Sequence, residues 1–123
     1  MFNMMPVKPH HKLEAWKVAM ALVRTVYEAT GGFPREETYG LAIQLRRAAV
    51  SIPSNVAEGA GRDGHREFLR FLSIARGSLS ELETQLLIAA DLGYLPVEHS
   101  AFALLERVSR LLTGLHKKLA ARC

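Results

Sequence analysis

The chain has 123 residues, 49% of them hydrophobic and 23% charged, which suits one domain able to bury about two thirds of its unfolded surface. Its apolar runs, such as Leu86 to Ala90, are far too short to span a bilayer, so a soluble protein with no membrane partner is expected. A net charge of +4 permits attraction to phosphate but falls well short of a histone-like tail, and the single cysteine, Cys123, excludes an internal disulfide framework and fits a reducing cytoplasm.

Turn signals are few and strand-like alternation is absent. The economical class is all-α, an antiparallel up-down four-helix bundle over residues 12–123 behind a disordered tail at residues 1–11. The first twelve residues contain neither a continuous apolar segment nor a small-residue cleavage site, so no secretory signal is read there. His10 and His11 fall at this end, where fortuitous metal affinity is the plainer reading. Helix one is expected from Lys12 to Thr30, with Leu13, Trp16, Met20, Val23 and Tyr27 repeating at intervals of three and four as a core stripe. Gly31 and Gly32 end it. Pro34 then stands near the first position of helix two, followed by Glu36 and Glu37 where acids favour a helix N-terminus.

Helix two continues to Gly59 on the stripe Leu41, Leu45, Ala48, Ile52 and Val56. Pro53 lacks the donor that would bond Ala49, so the helix is expected to bend there rather than stop, with Ser51, Ser54 and Asn55 close enough to satisfy freed backbone groups. Gly59, Gly61 and Gly64 formally fit G-x-G-x-x-G. A dinucleotide site needs a strand before those glycines, whereas here they follow a helix, so they read as a turn with Asp63 capping helix three.

Helix three, Gly64 to Leu92, places Phe68, Phe71, Leu72, Ala75, Leu79, Leu82, Leu86 and Ala89 in one narrow sector. The opposite sector holds Arg70, Ile74, Gly77, Glu81, Thr84 and Ile88. An outward pair of isoleucines beside a glycine is compatible with a subunit interface, for which Ile74, Gly77, Glu81 and Ile88 are the candidates. Gly93 closes this helix, and helix four follows from Val97 to Ala121 on Phe102, Leu105, Val108, Leu112, Leu115 and Leu119.

Two stretches carry a resemblance. The run from Ile43 to Gly59, IQLRRAAVSIPSNVAEG, and the run from Glu67 to Leu86, with Asp91 to Leu95 after it, resemble the two signatures of the four-helix-bundle proteins encoded in intervening sequences of 23S ribosomal RNA genes. The likeness extends over roughly Leu13 to Leu119. Related accessory proteins of diversity-generating retroelements share that fold, so the resemblance implies a homo-oligomer, a pentamer, with a basic surface able to engage nucleic acid. A reverse transcriptase or another protein is a partner that those relatives bring into view. The family brings no established catalytic residues.

Two sets of cations offer a phosphate-binding surface. On helix four, Arg107, Arg110, Lys117 and Lys118 share one side, with Gly114 leaving room between them. On the turn and helix three, Arg62, Arg66 and Arg70 recur every four residues, and Arg46 and Arg47 add a pair on helix two. The same cations would also serve as the solvated face of any soluble helix, and those ending helix four favour its dipole. Without interleaved aromatics or an RNA-binding fingerprint, binding to structured RNA or DNA is expected to be electrostatic and led by shape.

An enzyme is not expected. Ser51, Ser54, Ser73, Ser78 and Ser80 lack a recognisable nucleophile motif, His65, His99 and His116 lack ligand spacing, and no Glu-x-x-His occurs for a di-iron bundle. No metal or cofactor is implied. The alternative function is a protein-interaction scaffold in which the stretch Arg46 to Gly59 joins the Glu81 to Glu83 region in a polar network and the cations serve solubility.

Overall fold

The structure is a computed structural model and describes residues 6–123. Four helices, α1 (Glu14–Thr30), α2 (Leu41–Ala60), α3 (His65–Asp91) and α4 (Ser100–Ala120), make up the fold, with 3-10 turns at Pro9–Lys12 and Arg35–Glu37 and no strand among the described residues. Helix α2 packs on α1 and α3, and α4 packs on α3 and α1. The four helices therefore enclose one core, whose centre is formed by Leu22, Val26, Leu45, Ile52, Val56, Leu72, Leu82, Leu86, Val108 and Leu112.

The stripes expected on α2, α3 and α4 lie on this core. The stripe expected on α1 does so only in part: Trp16 belongs to the core and Leu13 packs against its edge. Ala15, Ala19, Leu22 and Val26 are buried, together with Val18, whereas Met20 and Val23 are only partly covered and Tyr27 is 44% exposed. The inner face is thus displaced by one residue, about 100° of helix rotation. Both stripes have helical periodicity. The one rich in alanine faces inward because small side chains let α2 and α4 approach the same helix.

Helix boundaries also differ from expectation for identifiable reasons. Pro34 does not open α2: it precedes the separate 3-10 turn, and α2 starts only at Leu41, where Glu37 Oε1 accepts the Leu41 N–H at 3.1 Å. Asp63 does not cap α3, because Gly64 enters the helix with φ of 83°, a conformation that favours glycine, and no side chain bonds the first turn. Helix α3 ends as expected at Gly93, φ 79°, with Tyr94 N–H on Ala89 O and Gly93 N–H on Ala90 O in a Schellman arrangement. Helix α4 begins at Ser100, not Val97, since His99 Nδ1 accepts the Ala101 N–H at 3.1 Å.

Helix α2 runs uninterrupted through the buried Pro53. Asn55 Nδ2 donates to Ser51 O at 2.8 Å and to Ser51 Oγ at 2.9 Å, and Ser51 Oγ lies 2.7 Å from Ser78 Oγ on α3. These side chains tie the turn around the proline to the neighbouring helix. At the N-terminal end, residues 1–5 of the expected tail lie outside the described residues. Pro9–Lys12 pack against α1 and α2, with the His10 and His11 rings each 5.1 Å from the Trp16 ring.

Candidate nucleic-acid interface

Helix α4 exposes Arg107, Arg110, Lys117 and Lys118. At 100° per residue they occupy a sector of about 100°. Gly114 lies inside that sector, and a Cβ built on it would meet nothing within 4 Å. Arg107 reaches Glu14 Oε2 at 3.5 Å, but both side chains are 55% exposed, so solvent screening limits this pair to about 0–1 kcal/mol. Arg110, Lys117 and Lys118 make no ion pair among the described residues. This face therefore keeps almost all of its charge.

The cations around the α2–α3 turn are more nearly neutralised. Arg62 Nη2 meets Glu58 Oε2 at 2.8 Å and Arg70 Nε meets Glu67 Oε2 at 3.3 Å. The hydrogen bond that Arg62 donates to Glu58 holds its pKa above the ordinary value. Both guanidinium groups also stand over the buried Phe71 ring, at 5.1 and 4.7 Å from its centroid. Arg66 is exposed and makes no ion pair among the described residues.

The adjacent pair on α2 divides. Arg46 turns back to the C-terminal end of α1: its Nε donates to Thr30 Oγ1 at 2.8 Å, its Nη2 to Tyr27 O at 3.4 Å, and its guanidinium lies 4.6 Å from the Tyr27 ring centroid. Thr30 Oγ1 in turn donates to Val26 O at 2.8 Å. Arg46 thereby supplies cationic donors where the last carbonyls of α1 leave partial negative charge. Arg47 is exposed and without an ion pair among the described residues.

On the exterior of α3, Ile74 and Ile88 are 41% and 45% exposed, while Gly77, Glu81 and Thr84 between them are exposed too. Gly77 has no intramolecular neighbour that would exclude a Cβ. The outer edge of the α1 stripe forms a feature not anticipated from sequence. Trp16, Met20 and Val23 line a recess of about 410 Å³ with Val50, Pro53 and Ala57 of α2. A second recess, of about 510 Å³, continues from Val50 to Tyr27, Ile43, Arg46 and Arg47. The signal lay in the second periodic stripe of α1, which one bundle core cannot use.

At the α2–α3 contact the Ser51 hydroxyl is held by Ser78 and Asn55. Burial lowers His10 below its ordinary 6.5, with the charges of His11 and Lys8 acting in the same direction. Among the described residues no group of three or more His, Cys, Asp or Glu stands where a metal could be held, and no helix is long and apolar enough to cross a membrane.

Fold and surface define a small all-helical domain whose most conspicuous exterior feature is a row of exposed cations on its last helix. The chain matches the family described as 23S rRNA-intervening sequence protein over residues 11–114, and it belongs to that family. The match includes α1, α2, α3 and most of α4, with both signature stretches. No curated protein matches it.

Proposed function

We propose that this protein is a non-enzymatic, cytoplasmic homo-oligomer that presents basic surface to the phosphates of structured RNA. The observation that carries the reading is the α4 face, where Arg110, Lys117 and Lys118 are exposed with no ion pair among the described residues. Gly114 leaves the helix backbone open to close approach there. Arg66 extends the cationic surface, while Arg46, Arg62 and Arg70 contribute less because local partners engage them.

The bundle is antiparallel and up-down in this reading, because each helix packs on its chain neighbour and α1 closes against α4. The ring of Pro53 opposes the Ala49 carbonyl and bends α2. Assembly as a pentamer, the subunit number implied by the resemblance, repeats the α4 face around a symmetry axis. Each copy then adds phosphate contacts to one RNA. Kinship with retroelement accessory proteins, and a reverse transcriptase as partner, belong to the same proposal.

The test replaces Arg107, Arg110, Lys117 and Lys118 by Glu and measures binding to an RNA hairpin, with duplex DNA alongside. Loss of RNA binding in a variant that keeps the native mass supports the proposal. RNA binding equal to that of the native protein overturns it, and a native protein that binds neither nucleic acid at low salt leaves a protein-interaction scaffold as the function.

A further inference from the structure

The exterior carries two apolar features of opposite shape. One is the groove between α1 and α2, formed by the recesses of about 410 and 510 Å³ that share Val50. The other is the α3 ridge, where Ile74, Gly77, Glu81 and Ile88 follow one another along the outer face. With about 1.5 Å of rise per residue, Trp16 and Tyr27 bound a wall about 16 Å long, and Ile74 and Ile88 stand about 21 Å apart with Glu81 midway. Groove and ridge therefore have similar lengths.

Their charges complement each other. Arg47 borders the groove, and Glu81 interrupts the ridge; both are exposed and neither has an ion pair among the described residues. Arg47 and Ser54 on α2 are separated by about 10 Å along the helix, as are Glu81 and Ile88 on α3. Setting Glu81 against Arg47 hence brings an isoleucine alongside the recess lined by Met20, Val23, Val50 and Pro53. Gly77 fits the same arrangement. A mid-helix glycine costs about 0.5–1 kcal/mol relative to alanine, and nothing within 4 Å in its own chain requires it, whereas a neighbouring helix laid along the ridge does.

We propose that the Ile74/Gly77/Glu81/Ile88 ridge of one copy seats in the Trp16/Met20/Val23/Val50 groove of a second copy, with Glu81 paired to Arg47. The contact joins two different surfaces, so it is heterologous, and each subunit keeps one groove and one ridge for further neighbours. It rests on the homo-oligomer reading and specifies which surfaces make the junction.

Two variants test it. Val50 and Ile88 are both exposed, so Val50→Arg blocks the groove and Ile88→Arg blocks the ridge without disturbing the core. Each variant alone should have the mass of a monomer by light scattering. An equimolar mixture should form a dimer, because the intact ridge of the first enters the intact groove of the second and neither remaining surface can extend it. Arg47→Glu and Glu81→Arg should each weaken assembly by roughly tenfold, and the chain carrying both should recover.

Native mass retained by either variant, a mixture that stays monomeric, or no recovery in the charge exchange overturns the junction while leaving an assembled native protein intact. A native protein that is itself monomeric overturns the homo-oligomer reading as well. Circular dichroism of every variant separates a lost junction from a lost fold.

Discussion

Gly59 lies where α2 passes close to α3. A Cβ at this position would come 2.8 Å from Phe71 Cβ, 2.9 Å from Phe68 Cδ1 and 3.3 Å from Phe68 O. Phe71 Cβ is the stem of a buried ring and Phe68 O belongs to the helix backbone, so neither can retreat by a simple rotation. Overpacking of this kind costs about 1–3 kcal/mol, against which alanine regains about 0.5–1 kcal/mol of helix propensity. Gly59→Ala should therefore lose about 1–2 kcal/mol, close to 4–8 °C in Tm for a domain of this size. Gly114→Ala is the control: with no atom within 4 Å of the added methyl group it should gain about 0.5–1 kcal/mol. Urea unfolding followed by circular dichroism reads both. A Gly59→Ala protein as stable as the native one would refute the close helix approach.

Other expectations concern the polar groups. Arg46→Met removes donors from Thr30 Oγ1 and Tyr27 O and should cost about 1 kcal/mol in urea unfolding while weakening RNA binding far less than loss of the α4 cations does. Gln85 Oε1 is buried with no hydrogen-bond partner among the described residues, so Gln85→Leu should stabilise by about 1 kcal/mol in the same assay. The hydrogen bond from Tyr94 to Glu37 raises the phenol above its ordinary value of 10.0. Its stabilisation is full below that value and is lost as pH rises through the folded value, an alkaline step in thermal stability that Tyr94→Phe should abolish. Burial lowers His10, so the stability linked to it is present above 6.5 and is lost as pH falls through the folded value. Trp16 fluorescence should report this acid change through the adjacent His10 ring, and His10→Gln should reduce it.

Helix α3 was legible because one sector carries nearly all its large apolar residues and the opposite sector is exposed throughout, from Arg70 to Ile88. Helix α1 was legible as a helix but not in its orientation. Its two apolar stripes differ by one residue, and only the positions of α2 and α4 select between them. Starts of helices were harder than ends: Gly93 announces its own conformation, whereas the start of α2 depends on Glu37 reaching Leu41, and that of α4 on the rotamer of His99. Among the cations, residue type could not show that Arg46 would reach sixteen positions back to Thr30 while Arg47 beside it faced out. The row Arg107, Arg110, Lys117 and Lys118 was readable because helical periodicity alone sets its sector.

The most direct test of the functional reading is the salt dependence of RNA-hairpin binding by the native protein, with the assembly mass recorded in each sample. Electrostatic contact predicts that the logarithm of affinity falls linearly with the logarithm of salt concentration, by about 0.7–0.9 per phosphate neutralised. The Arg107/Arg110/Lys117/Lys118→Glu protein should lose both the affinity and the slope while keeping its mass. An affinity indifferent to salt would contradict the phosphate-binding surface proposed for α4.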